Sequence, residues 1–283
     1  VQEMDNLFKA AEFTKAADVF DLSAGASPPY GAVLQRARIY VKKEFADAIR
    51  FLIDRPAPKG NAKEAAERQM ILGMAYARIG EHEIACEHLS AAEKAAKIAK
   101  HVDLQLEITY WGARGKVMAN DLEGAESDLA HLAKSASHSA RVRFLDLQSL
   151  IQGRQQIYHE QSRTLLTLVE VIASGREDML EFRAWATHTL AVLAREIPIP
   201  TARAVISAEL MKPWPEYFRE NRFQTEKALA WICALSGDYF NAFRYLKAAT
   251  ATAPTAAWKM MAFLDRAYLA KCMGELLWSW GRP

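Results

Sequence analysis

Apolar residues recur at intervals of three and four along almost the whole chain, the spacing that places them on one face of an α-helix. Runs that alternate apolar and polar residues between turn residues, as β-strands do, are essentially missing. The pattern therefore predicts an all-α protein in which successive helices turn apolar stripes toward a shared core. Between 139 and 211 it predicts four helices, with a break at 197–200 where Ile and Pro alternate.

A sharper pattern of small and large residues at fixed offsets occupies 72–92. Its members are Leu72, Gly73, Tyr76, Gly80, His82, Ala85, Leu89 and Ala92. Gly73 and Ala85 predict a close approach of two antiparallel helices, because a small residue on each lets the backbones come together. Gly80 predicts the left-handed residue at the end of the first helix. The segment resembles a tetratricopeptide repeat, a helix pair with these residue types at these offsets.

The same pattern returns elsewhere in the chain. It is clear at Gly237, Tyr239, Ala242, Leu246, Ala249 and Pro254, and weaker at Ala37, Tyr40, Phe45, Ala48 and Leu52 and at Asn120, Leu122, Ala125 and Leu129. Equivalents of the small second-helix residue fall at Ala48, Ala85, Ala125, Ala204 and Ala242. Neighbours are 37 to 40 residues apart, and the gap of 79 before Ala204 accommodates two units. This period is longer than the family's usual one of about 34 residues.

The resemblance implies a right-handed α–α superhelix, a tetratricopeptide-type solenoid of about six to seven helix pairs that forms one domain over 1–283. The predicted units are 1–28 (partial), 29–60, 61–100, 101–137, 138–175, 176–213, 214–254 and 255–283 (partial). Because both ends fall inside a unit, we expect the chain to be a segment of a longer protein. The alternative is that the atypical end helices are caps, against which Trp278 and Trp280 weigh.

Composition and charge narrow the classes of function. The chain has 36 Lys and Arg against 34 Asp and Glu, a net charge of +2, without the basic excess of a dedicated nucleic-acid binder. Three widely separated cysteines, Cys86, Cys233 and Cys272, argue against a disulfide framework and favour a reducing cytoplasm. No apolar run approaches the roughly 20 residues that cross a membrane, and the first residues lack the basic-then-apolar pattern of a leader. We therefore expect a cytoplasmic protein without a membrane partner.

Candidate chemistry is sparse. His82 and Cys86 share a helix face, but His88 points elsewhere, so packing explains this cluster better than metal binding. The run 112–116 has glycines and a lysine, but not the spacing or the preceding strand of a phosphate loop. Glu177 and Asp178 follow a glycine, where they are expected to cap a helix. The sequence predicts no catalytic residue, cofactor or metal, and hence a protein that is not an enzyme.

A binding surface follows from the family resemblance. First helices of such repeats line the concave side of the solenoid, which implies a groove lined by Arg38, Lys42, Met74, Arg78, Tyr110, Arg114, Arg154, Tyr158, Lys227 and Trp231. Its four arginines recur at intervals of 40, 36 and 40 residues. Because guanidinium groups bind carboxylates in bidentate fashion, we expect an acidic peptide or protein segment as partner. Alternatively, these arginines pair with carboxylates of the chain, such as Glu67 and Glu107.

Two functions follow from these expectations. The leading hypothesis is a non-enzymatic protein-interaction scaffold. The alternative is the sensor or regulatory region of a bacterial helix-turn-helix transcription regulator, to which 241–273 is similar, with no direct nucleic-acid contact from this segment. A small-molecule pocket between the arms of the superhelix stays open, lined by Trp111, Trp185, Trp214 and Trp231, although burial in the core is the preferred interpretation of these residues. A homodimer through the terminal helices also stays open.

Overall fold

The computed structural model describes residues 18, 28–43, 45–174, 179–199, 201–212, 214 and 218–279. These residues form thirteen α-helices and, in the same ranges, no strand, so the predicted all-α class is confirmed. None of the helices in these ranges is long and apolar enough to cross a membrane. The chain divides into two compact units, Val1–Gln161 and Ser162–Pro283, here called unit 1 and unit 2.

Unit 1 is built from seven complete helices and the start of an eighth. They are α1 (Tyr30–Lys43), α2 (Phe45–Ile53), α3 (Ala62–Arg78), α4 (His82–Ala99), α5 (Val102–Met118), α6 (Leu122–Leu132), α7 (His138–Arg154) and α8 (Tyr158–Ser174). From α1 to α7 each helix packs on the next, and α1, α3, α5 and α7 also pack on one another in that order. One buried cluster, which includes Leu34, Met70 and Ile108, runs through α1 to α5. The odd-numbered helices of unit 1 thus form one layer, here called the first-helix layer.

Unit 2 contains the remaining five helices. They are α9 (Leu180–Glu196), α10 (Ala202–Leu210), α11 (Arg219–Leu235), α12 (Tyr239–Thr252) and α13 (Ala256–Ser279). Helix α11 packs on α9, α10 and α12, and α12 packs on α13. Phe223, Ala249 and Ala262 lie in a buried cluster that Trp258 covers. The predicted break at 197–200 falls between α9 and α10, where Pro198 keeps the backbone from continuing as helix.

One turn recurs at the ends of four first helices, and Lys100 (φ 50°) forms a similar turn after α4. The second residue after α3, α5, α7 and α11 has a positive φ: 89° at Gly80, 64° at Asn120, 62° at Gln156 and 77° at Gly237. The next amide then donates to the carbonyl five residues before it: Glu81 to Tyr76 (3.0 Å), Asp121 to Lys116 (2.8 Å), Ile157 to Gln152 (2.9 Å) and Asp238 to Cys233 (2.9 Å). This is the hydrogen bond of a Schellman-type helix end. Identical turns at corresponding places indicate a structural repeat in both units.

The close approach predicted at Gly73 is present between α3 and α4. A Cβ atom on Gly73 would lie 2.6 Å from Cγ of Leu89 and 3.1 Å from the carbonyl oxygen of Ala85. The equivalent position, seven residues before each left-handed residue, holds Ala113, Ser149 and Ala230, all buried. A small residue thus occupies this position in all four first helices, and at Gly73 the absence of a side chain lets α3 contact α4 closely.

Several sequence predictions lie outside the described residues. They concern the partial first unit, apart from Asp18 and the two residues before α1, and the capping residues Glu177 and Asp178. The side chains of Lys42 and Trp278, and all of Trp280, also lie outside.

Candidate partner-binding face

Three helices of the first-helix layer are joined by one arginine. Arg38 of α1 contacts Glu67 of α3 (Nη2 to Oε2, 3.6 Å) and Glu107 of α5 (Nη1 to Oε1, 3.4 Å). Each of these three side chains keeps about a fifth of its surface exposed, at 21%, 19% and 22%. We call this group the Arg38 cluster. Arg38 therefore pairs with Glu67 and Glu107 of the chain, as in the second of the two expectations for the arginines. The cluster is accessible to solvent.

A second group, the Asp146 cluster, joins α5 to α7. The hydroxyl of Tyr110 donates to Oδ2 of Asp146 at 2.6 Å, and Nη1 of Arg114 donates to the same oxygen at 3.0 Å. Arg114 also donates to the Tyr110 hydroxyl oxygen at 2.6 Å. Burial raises the pKa of Tyr110 above its ordinary value, so the hydroxyl keeps its proton and remains a donor.

Asp146 needs both partners because its side chain is only 1% exposed. An ionised carboxylate removed from water is costly unless it is paired and hydrogen-bonded. The sequence analysis did not single out Asp146. The sequence could have indicated its role, because Asp146 is the one charged residue in 144–153, a stretch of apolar and uncharged polar residues on a predicted helix.

Met74 and Tyr110 lie in the interior instead of on an open groove. Met74 is part of the unit 1 core, and Tyr110 is 1% exposed. The reason is that α3 packs against both α1 and α5, and α5 against both α3 and α7, so a first helix covers part of its own surface with its neighbours. Their contribution to this face is to hold the helices together.

The remaining candidates of unit 1 lie at helix ends. Arg78 and Arg154 are the exposed last residues of α3 and α7, and Tyr158, 42% exposed, begins α8. Nη2 of Arg154 lies 3.6 Å from the sulfur of Met118, which ends α5. The four predicted arginines therefore separate into two within the layer, Arg38 and Arg114, and two beside the repeated turns.

Lys227 and Trp231, the candidates of unit 2, both contact α13. Nζ of Lys227 lies 2.8 Å from Oδ2 of Asp265 and 5.6 Å from the ring centre of Phe223. The ring of Trp231 lies 5.8 Å from that of Tyr268. These residues connect α11 to the last helix.

The tryptophans proposed for a pocket have local contacts. Trp111 packs on the core of unit 1, with the Arg114 guanidinium 5.4 Å from its ring. In unit 2 the indole of Trp214 donates to the carbonyl of Glu209 at 3.0 Å, whereas Trp185 is 42% exposed.

Two of the residues considered for metal or phosphate chemistry, His88 and Lys116, have structural partners. His88 stacks on Tyr76 with ring centres 5.2 Å apart and lies 2.6 Å from Oε1 of Gln69. Burial lowers the pKa of His88. In the described ranges no group of three His, Cys, Asp or Glu side chains is placed to hold a metal ion. Lys116, inside helix α5, pairs with Asp128 at 2.7 Å.

A scan against models of known protein families and a search of curated proteins return no match to this chain. Function is therefore inferred from the repeated helix pairs and the two clusters.

Proposed function

We propose that this chain is a non-enzymatic protein-interaction scaffold. It is a right-handed superhelix of tetratricopeptide-type pairs that binds an extended segment of a partner protein on the first-helix layer of unit 1. The observation that carries the proposal is the turn repeated at Gly80, Asn120, Gln156 and Gly237, because repeated helix pairs present successive first helices side by side as one extended surface.

The two clusters give this surface different roles. The buried Asp146 cluster fixes α5 against α7 and supplies a rigid support. The Arg38 cluster is partly exposed, and the contacts of Arg38 with Glu107 and Glu67, at 3.4 and 3.6 Å, are longer than the roughly 2.7–2.9 Å of a strong charge-assisted hydrogen bond. A carboxylate or basic group of a ligand can therefore exchange with one member of the cluster at small cost.

Internal pairing also bears on the charge of the ligand. An acidic segment was expected because four arginines were placed on one face, but Arg38 and Arg114 already contact carboxylates of the chain. We propose that recognition depends on individual exchangeable pairs and on apolar contact more than on a long-range positive field. Binding should then weaken only modestly, by a few-fold, between low and physiological salt.

Peptide arrays with acidic, basic and mixed sequences test the proposal, followed by fluorescence polarisation with the selected peptides. For an acidic ligand, Glu107→Gln should strengthen binding several-fold because it removes a competitor for Arg38, and Arg38→Gln should weaken it. A basic ligand should show the opposite signs. Arg50→Gln, an exposed arginine of α2, is the matched control and should have no effect. If the selected peptides bind both variants with the affinity of the wild type, this face is not the binding site.

A further inference from the structure

Helix α13 is apolar on both of its faces. Its inner face is covered by unit 2, with Ala262 and Leu269 buried. Its outer face exposes Met260 (59%), Leu264 (63%) and Tyr268 (55%), flanked by Met261, Phe263 and Ala267, which are also exposed. A helix that is apolar all round is ordinarily buried all round. The outer face therefore has the composition of an interface.

Charged residues of α13 avoid this outer face over 256–270. Asp265 turns to Lys227 of α11, and the Arg266 guanidinium lies 5.8 Å from the Phe263 ring. Lys259 is seven residues before Arg266 and so shares its side of the helix. The next charges on the outer face are Lys271 and Glu275, one turn apart, with Nζ and Oε1 separated by 3.6 Å. The outer face is thus neutral over about three and a half turns.

We propose that a second copy of this chain covers the outer face through an antiparallel α13–α13 pair. The large side chains are arranged symmetrically about Leu264, with Met260 one turn before it and Tyr268 one turn after it. A two-fold axis at Leu264 places Met260 on Tyr268 of the partner subunit, and Leu264 on Leu264 of the partner subunit. Isologous pairing of this kind needs a self-complementary and uncharged centre, which this face has.

The available area suits a weak dimer. Four large side chains, Met260, Met261, Leu264 and Tyr268, are each about half exposed and present about 400 Å² of mostly apolar surface per copy. Two copies bury about twice that area, and the flanking alanines bring the total to about 1,000 Å², which is below the roughly 1,200 Å² of standard interfaces and in the range of weak complexes. We therefore expect a dimer with a micromolar dissociation constant.

Sedimentation velocity of the full chain between about 1 and 200 µM tests this inference. The wild type should dimerise, and Leu264→Glu should raise the dissociation constant at least about tenfold because it places two carboxylates at the centre of the interface. Ile98→Glu on α4 is the matched control, since Ile98 is 75% exposed and lies in unit 1. Circular dichroism should show equal helicity in all three proteins.

A wild type that is monomeric at 200 µM, or a dimer that survives Leu264→Glu, would overturn the inference. The proposed register has its own readout. Under mild oxidation, Leu264→Cys should form an interchain disulfide, because the axis passes through that position, whereas Ile98→Cys should give only the background of the wild type. Equal cross-linking of the two variants counts against the antiparallel pair.

Discussion

Removal of the Asp146 carboxylate should destabilise unit 1 far more than removal of a partly exposed carboxylate that pairs with the same helix, α5. In Asp146→Ala the Tyr110 hydroxyl and the Arg114 guanidinium both lose the Asp146 carboxylate as an acceptor, while Arg114 keeps its contact with the Tyr110 oxygen. Loss of one partner of a buried ion pair costs about 3–5 kcal/mol. Arg114 is 23% exposed and can regain some hydration, so we expect about 2–4 kcal/mol.

Asp128→Ala is the matched control. Asp128 pairs with Lys116 of the same helix α5, at 2.7 Å, but its side chain is 23% exposed, against 1% for Asp146. A pair in contact with solvent contributes about 0–1 kcal/mol. The two substitutions therefore delete the same chemical group beside the same helix and differ mainly in burial.

Urea unfolding followed by circular dichroism gives the overall decrease in the free energy of unfolding. Hydrogen exchange of the α5 and α7 amides shows whether the decrease occurs between these helices. Replacement of both charges, Arg114→Met with Asp146→Leu, should cost less than the sum of the two single changes by about 2 kcal/mol. Asp146 does not have this role if Asp146→Ala lowers the free energy of unfolding no more than Asp128→Ala does. The same holds if hydrogen exchange of the α11 amides accelerates as much as that of the α5 and α7 amides.

Further substitutions test other parts of the fold. Gly73→Ala should lower the free energy of unfolding in urea by about 1–3 kcal/mol because the new Cβ would meet Leu89. Gly112→Ala, at a position with open space around it, should raise that free energy by about 0.5–1 kcal/mol. Equal effects of the two substitutions would contradict the close approach of α3 and α4. Gln156→Gly should raise the urea midpoint, since Gln156 has a positive φ; a lower midpoint counts against the turn. Burial raises the pKa of Glu226 in α11, so the folded state binds that proton more tightly than the unfolded state. The free energy of unfolding of unit 2 should therefore gain a contribution as pH falls through the raised pKa toward the ordinary pKa of a glutamate, and Glu226→Gln should remove it. Identical pH profiles of the two proteins would contradict this.

Local features of the fold followed from residue types that act over short distances. Gly73 predicted the helix contact because a backbone approach excludes a side chain, and Gly80 predicted the left-handed turn because glycine adopts that conformation without strain. Gln156 adopts the same conformation without being glycine, so the sequence gives no comparable signal for the turn after α7. There the helix pair was predicted from spacing alone.

The binding face was harder to predict because exposure depends on how first helices pack on each other. Residues at similar places in the repeat have different surroundings: Arg38 reaches solvent, Tyr110 is buried, and Arg78 ends its helix. Contacts such as Arg38 to Glu107, 69 residues apart, depend on the positions of three helices together. Residue type and spacing do not determine such distances.

The most direct test of the scaffold function is peptide selection by the wild type, with the selected peptides then measured against Glu107→Gln, Arg38→Gln and the Arg50→Gln control. We expect at least one class of peptide to bind, the two cluster variants to change its affinity in opposite directions, and the control to leave it unchanged. An absence of selected peptides at low salt, or affinities that none of the three substitutions changes, would contradict binding on the first-helix layer.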